Sequence, residues 1–218
     1  MFRDRSEAGI KLAERLKKYK RAKDVLVLAL PRGGVVTGFE VARLLGVPLD
    51  VLIVRKIAAP WQPELAAAAV SETGVVAFNQ FVISAYMISE DYLKNEISRQ
   101  KEEISRRVEL YRKGKGIANL GGKTVILVDD GVATGATMKT AIETLRKEDI
   151  RNLVIALPVA PPDAADELRG MADEFVCLEV HADFSAVGNF YQNFAQVGDE
   201  EVVMLLQEAN AKSEETRE

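Results

Sequence analysis

Two adjacent carboxylates, Asp129 and Asp130, follow the apolar run Thr124-Val125-Ile126-Leu127-Val128 and precede Gly131-Val132-Ala133-Thr134-Gly135-Ala136-Thr137. Each part of this stretch has a chemical use. Neighbouring carboxylates accept hydrogen bonds from two adjacent sugar hydroxyls and let a hard cation sit close by. Backbone amides that open a helix, backed by the positive end of its dipole, hold a phosphate. Gly135 lets the backbone approach a ligand closely or take a positive φ, and Thr134 and Thr137 add hydroxyl donors. Two further stretches have phosphate chemistry. Pro31-Arg32-Gly33-Gly34 closes another apolar run, and its glycines free the amides to converge on an anion. Arg55-Lys56 puts two cations after a third run, where they suit a phosphate group. Taken alone, the first of these is a turn and the second a solvated strand end.

The elements that position these residues are readable from period and punctuation. Ser6 precedes Ala8, Leu12 and Leu16 at helical spacing, which predicts a helix capped by Ser6. Residues 25–30 form a short, branched, wholly apolar run that reads as a buried parallel strand. A helix over 35–45 and a second buried strand over 49–54 complete a right-handed crossover. Residues 57–83 contain two prolines and short apolar segments around Ser71-Glu72-Thr73-Gly74, and read as a loop followed by a small hairpin. Residues 89–113 form a long polar helix with Ser89 as cap. Its narrow stripe of Leu93, Ile97, Ile104, Val108 and Tyr111 suits a helix lying along a sheet, or a lid. Strands at 124–129, 153–157 and 175–179 then alternate with helices at 137–147 and 163–171, and a last helix spans 200–208. The alternation predicts an α/β fold: an open, mainly parallel twisted sheet flanked by helices, with its ligands at the carboxyl ends of the strands. A small hairpin and helical hood is added to it. One domain over 1–209 is expected, with 57–113 as insertion or lid and 210–218 as a frayed tail.

Composition narrows the function classes. The chain of 218 residues is 48% hydrophobic and 28% charged, with a net charge of -4. That balance, without a basic cluster or a recognisable DNA-binding helix pair, speaks against nucleic acid and anionic membrane as partners. A single cysteine, Cys177, excludes an intrachain disulfide and a cysteine metal cluster and suits a reducing compartment. The amino terminus is charged and amphipathic, and no apolar run approaches the roughly 18 residues of a membrane span. A cytoplasmic protein is expected. Gly122-Lys123-Thr124 imitates the tail of a P-loop, but the earlier glycine is out of register and a strand follows. A receiver-type acidic pocket would not need Thr134-Gly135-Ala136-Thr137.

The stretch from Val125 to Thr137 resembles the phosphoribosyl pyrophosphate (PRPP) motif of type I phosphoribosyltransferases. More narrowly, the chain resembles a group of bacterial and archaeal phosphoribosyltransferases without an agreed acceptor. That likeness runs from Arg3-Asp4-Arg5 through Pro63-Glu64-Leu65-Ala66, the acidic motif and Ala186-Val187-Gly188 to Asp199-Glu200-Glu201-Val202. The resemblance implies the type I fold and displacement of pyrophosphate from the ribose C1 by a nucleobase-like acceptor, with Mg²⁺ as cofactor. Asp129 and Asp130 would hold the ribose hydroxyls. Ala133, Thr134, Gly135, Ala136 and Thr137 would cradle the 5′-phosphate. Arg32, Gly33 and Gly34, after a cis peptide between Pro31 and Arg32, would bind pyrophosphate with Arg55 and Lys56. Phe184, Phe190 and Tyr191 are candidates for the acceptor side, where ordinary packing competes as an explanation. His181, the lone histidine, is structural or a base-side contact. Mg²⁺ would be held mainly through substrate and water near the acidic pair, and a homodimer is compatible with the family. The segment between the second strand and the long helix departs from the catalytic loop of the orotate and purine enzymes. A PRPP or nucleotide sensor on the same fold is the alternative function, and phosphorolysis of a nucleotide is a third.

Overall fold

Val25–Ala29 and Thr124–Val128 are five-residue runs, apolar but for Thr124, and every residue in them is buried. Such runs must be covered on both faces, as parallel strands under crossover helices are. The computed structural model describes residues 1–215. In chain order these form α1 (Arg5–Arg15), β1 (Val25–Ala29), α2 (Gly33–Leu45), β2 (Leu49–Val51), β3 (Val54–Ala59), β4 (Gln62–Ser71), β5 (Val76–Phe78), α3 (Gln80–Ala85), α4 (Glu90–Arg112), β6 (Thr124–Val128), α5 (Ala136–Leu145), β7 (Asn152–Ala160), α6 (Pro162–Met171), β8 (Glu174–Val180) and α7 (Asp199–Glu215). The chain divides into two compact units. One comprises 1–51, 117–135 and 148–218, and the other 52–116 and 136–147.

The first unit is built on a five-stranded sheet of order β2-β1-β6-β7-β8. All four of its pairings are parallel. Its chain path reverses beside β1: β2 lies on one side, while β6, β7 and β8 lie on the other. Ala29 sits opposite Val128, and the Leu30 amide donates to the Val128 carbonyl at 2.9 Å. The turns after β1 and β6 therefore leave the sheet side by side at a topological switch point, where open α/β sheets bind ligands. α1 and α7 both pack against α2, and α6 packs on β7 and β8. Asp4, not Ser6, caps α1: its side chain accepts from the Glu7 amide at 2.8 Å, and Glu7 Oε2 accepts from the Arg3 amide at 2.5 Å. The helix is thus capped two residues earlier than the hydroxyl suggested, with Glu7 reaching back past the cap to the Arg3 amide.

In the second unit, β3, β4 and β5 form an antiparallel sheet. α4 and α5 pack on β3 and β4, and α3 packs on β4. The expected hairpin is thus a three-stranded sheet. Ala66, Ala67, Ala68 and Ala69 are buried in β4, their small side chains giving a run without the branched residues that signal a strand. The apolar stretch 49–54 is not one strand. β2 ends at Val51, and Val54 opens β3 opposite Ser71. Leu52 and Ile53 between them are fully buried, so hydropathy sees no break where the pairing partner changes. α4 starts as expected, with Ser89 Oγ accepting from the Tyr92 amide at 3.2 Å. Leu93, Gln100, Ile104, Arg107 and Tyr111 are its buried residues, which suits a helix lying along the sheet. α7 continues as helix to Glu215, through most of the expected tail, whose residues 216–218 lie outside the described part.

Arg112, at the end of α4, forms an ion pair with Glu72, and the two side chains are only 8% and 5% exposed. Glu72 Oε1 also accepts from the Ile53 amide at 2.8 Å. Removing the cation leaves a carboxylate without its counterion in a dry site, a loss of about 3–5 kcal/mol for such pairs. Arg112→Met is therefore expected to destabilise the fold by that order, read as a lower urea midpoint at unchanged m, and to raise amide exchange in β4. An unchanged midpoint would show that the pair contributes nothing.

Candidate functional site

Asp129 and Asp130 follow the last residue of β6, beside the turn that follows β1. The Asp129 carboxylate accepts from the Asp130 amide at 2.8 Å. Asp130 Oδ2 accepts from Arg5 Nε at 2.6 Å, with both side chains largely withdrawn from water. The Asp130 carbonyl accepts from the Tyr191 hydroxyl at 2.6 Å. Burial, and then the charge of Asp130, push the Asp129 carboxyl well above the usual aspartate range. Burial, followed by the same carboxylate's charge, also pushes the Tyr191 phenol up, so it remains a donor.

The turn after β1 closes on this pair. The Pro31–Arg32 peptide bond is cis, as the resemblance implies. Gly33 and Gly34 are the first residues of α2, two positions earlier than the expected start. A Cβ on Gly33 would collide with the Asp130 carboxylate, and one on Gly34 would come within 2.8 Å of Asp129 Oδ1. Only glycine lets the α2 amino terminus lie this close to two acids, with its amides free to meet an anion. The Arg32 side chain points instead to Asp199 at the start of α7, with Nη1 3.9 Å from Oδ1.

After the acids, the Val132 amide donates to the Val159 carbonyl at 3.1 Å and pins the loop to β7. Ala133 and Thr134 are exposed, and Gly135 has φ 71°. Among the described residues the amides of 133–135 donate to no backbone carbonyl. The division between the units falls after Gly135, and Ala136 and Thr137 open α5 in the second unit. Thr140 and Thr144 of α5 bond back to the carbonyls of Ala136 and Thr140, at 3.1 and 2.8 Å. Arg55 and Lys56 also belong to the second unit. They are the second and third residues of antiparallel β3, not the carboxyl end of a parallel strand, and Arg55 Nε donates to Gln100 Oε1 at 3.0 Å.

The carboxyl-terminal aromatics divide into two groups. The ring of Phe190 stacks with Phe184 and with His181, with centroids 4.9 and 4.8 Å away. His181 Nε2 lies 2.9 Å from Glu179 Oε2. Tyr191 is buried against Phe2 and serves the acidic pair through its hydroxyl. Arg5 and Tyr191 lie 125 and 61 residues from Asp130 along the chain. No local pattern marks either as its partner, because only the closed fold brings them to one carboxylate. Among the described residues no group of three His, Cys, Asp or Glu side chains is placed to hold a metal ion. No helix among them is long and apolar enough to cross a membrane.

Residues 4–192 match the model of a family described as the phosphoribosyl transferase domain. A protein provisionally named a phosphoribosyl transferase, found in two strains of Mycobacterium tuberculosis, is 44% identical over 210 residues, or 96% of this chain. That stretch is 47% of the relative, so the chain spans about half the length of the curated proteins it matches. The crystal structure of TT1426 from Thermus thermophilus is 45% identical and superposes with a TM-score of 0.79 over 95% of this chain and 98% of that one.

The buried acid has a thermodynamic consequence. The folded chain holds the Asp129 proton more tightly than the unfolded chain, whose aspartates titrate near about 3.9. Its contribution to stability is therefore fullest below that pH and is lost as pH rises towards the folded value. Asp129→Asn keeps the acceptor for the Asp130 amide and removes the titration. The variant is expected to melt higher than the parent at pH 7–8, with the gap closing towards pH 4. A variant that melts lower at pH 7, or a gap independent of pH, would contradict the burial argument.

Proposed function

This chain belongs to the phosphoribosyl transferase domain family, and on that premise we propose that it transfers the ribose 5-phosphate of PRPP to a nucleobase-like acceptor with release of pyrophosphate. One observation carries the reading. The adjacent carboxylates and the glycine-opened amino terminus of α2 meet at the switch point of the parallel sheet. A sugar phosphate needs both features at once, acceptors for its hydroxyls and amides for its anionic groups.

In this reading Asp129 and Asp130 accept from the 2′ and 3′ hydroxyls and lie near the positive charge that develops on the ribose as pyrophosphate departs. Fixed carboxylates at that position stabilise the transition state without having to reorganise. The amides of residues 133–137 hold the 5′-phosphate. The amides of Gly33 and Gly34 hold pyrophosphate, assisted by Arg55 and Lys56. Arg32 contributes its backbone, since its side chain is directed to Asp199. Among the described residues no third His, Cys, Asp or Glu joins the two acids in a metal-holding group, which fits a hard cation that takes its remaining ligands from phosphates and water. When bound there, Mg²⁺ neutralises the leaving group. None of the proposed site residues is an evident general base, so the rate comes mainly from positioning.

Two measurements test this. Calorimetry should detect binding of PRPP with Mg²⁺, and binding should vanish in Asp129→Asn/Asp130→Asn while the circular dichroism spectrum stays unchanged. Equal affinity in the double variant would remove the donor site. Incubation with Mg²⁺, PRPP and a panel of purines, pyrimidines and pyridine carboxylates should release pyrophosphate with one acceptor, and the release should be lost in Arg55→Ala. Tight binding without turnover across the panel, joined to a ligand-dependent change in binding to a partner, would favour a sensor.

A further inference from the structure

Arg5 is the first residue of α1, yet its side chain is spent away from that helix. Nε donates to Asp130 Oδ2 at 2.6 Å, Nη1 donates to the Ala195 carbonyl at 2.8 Å, and the guanidinium carbon lies 3.7 Å from the centroid of the Phe194 ring. Three contacts on one rigid plane fix the group in orientation as well as position, which a lysine ammonium cannot reproduce. The ion pair is largely out of water, with side chains 10% and 14% exposed, so loss of either partner leaves a poorly solvated charge. Tyr191 holds the other side of the same residue, through the Asp130 carbonyl. The amino-terminal helix thus grips the Asp130 side chain while the segment 191–195 grips its main chain and braces the gripping arginine.

We propose that Arg5 is the positioning residue of the acidic pair, fixing the rotamer in which the Asp130 carboxylate meets the ribose and offsetting the repulsion between two acids and a polyanionic donor. The proposal rests on the reading of Asp129 and Asp130 as the ribose site. It adds a residue far from the motif and makes the segment around Phe194 part of the donor site through the arginine. A role confined to tying the chain ends together would show in stability and leave donor affinity alone. A positioning role shows in affinity, and the missing group can be supplied in solution.

The test is calorimetric titration of PRPP with Mg²⁺ into the parent protein, Arg5→Lys and Arg5→Ala, each first checked for the parent's circular dichroism spectrum. Both variants are expected to bind about tenfold more weakly or worse, the scale of one lost charge-assisted hydrogen bond. Added ethylguanidinium should restore affinity to Arg5→Ala and leave the parent unchanged. If Arg5→Ala does not fold, Arg5→Lys decides, because it keeps the charge and loses the planar fork. Parent-like affinity in Arg5→Lys overturns the proposal, since charge alone then suffices. Tighter binding in either variant also overturns it, by making Arg5 a competitor of the ribose. Weak binding in a folded Arg5→Ala that ethylguanidinium does not rescue has the same effect, because a guanidinium at that place is then not what sets donor affinity. If the parent itself binds no PRPP, the ribose-site reading fails and this proposal falls with it. Parent binding with undiminished affinity in the variants removes only the role of Arg5.

Discussion

Ala29 and Val128 lie opposite one another in parallel strands, and the Leu30 amide reaches the Val128 carbonyl just beyond them. This register decides where two short sequences, far apart in the chain, leave the sheet. Pro31-Arg32-Gly33-Gly34 and Asp129-Asp130 emerge side by side because β1 and β6 are neighbours while their onward connections run in opposite directions across the sheet. A slip of one residue would turn the alternating side chains to the opposite faces. Both strands are apolar but for Thr124, which makes the register a matter of hydrogen bonding and helix packing as well as hydropathy. The site thus depends on backbone pairing before it depends on any reactive side chain.

The electrostatics follow from that placement. A carboxyl held next to a second one and out of water is costly, and the fold does not hide the cost: the Asp129 carboxyl is pushed well up. What offsets it is local. Arg5 faces Asp130, the Asp130 amide faces Asp129, and the amino terminus of α2 stands over both acids. Glycine at 33 and 34 is what lets that helix end approach, since any Cβ there would meet a carboxylate. A chain with net charge -4 offers an anion no overall attraction, so any such binding rests on local arrangements of this kind.

Much of this was legible in the sequence, for physical reasons that differ by element. Buried parallel strands are continuous apolar runs, so 25–30 and 124–129 were found within a residue. The acid pair and the hydroxyl-rich loop were legible because their chemistry is local. The Ser89 cap was legible because a hydroxyl followed by a long polar helix is a local signal. Where the signal depends on partners, it failed. Hydropathy cannot tell that the run 49–54 changes sheets at Val51, so in sequence Arg55 and Lys56 look like the end of a parallel strand and not part of an antiparallel one. A run of alanines conceals β4, because alanine carries little strand preference. The cap of α1 is ambiguous in sequence, because the Ser6 hydroxyl and the Asp4 carboxylate are both good caps and lie two residues apart. Arg5 and Tyr191 could be seen as residues, but their convergence on Asp130 exists only in the closed fold.

The central claim is that one ribose 5-phosphate donor is held by the acids after β6, with its phosphates on backbone amides. A crystal structure of the protein with Mg²⁺ and PRPP measures this directly. The account predicts the ribose 2′ and 3′ hydroxyls within hydrogen-bond distance of Asp129 and Asp130, the 5′-phosphate against the amides of residues 134–137, and pyrophosphate at Gly33 and Gly34. A donor bound with its ribose away from both carboxylates, or with its 5′-phosphate held by side chains elsewhere, would contradict it.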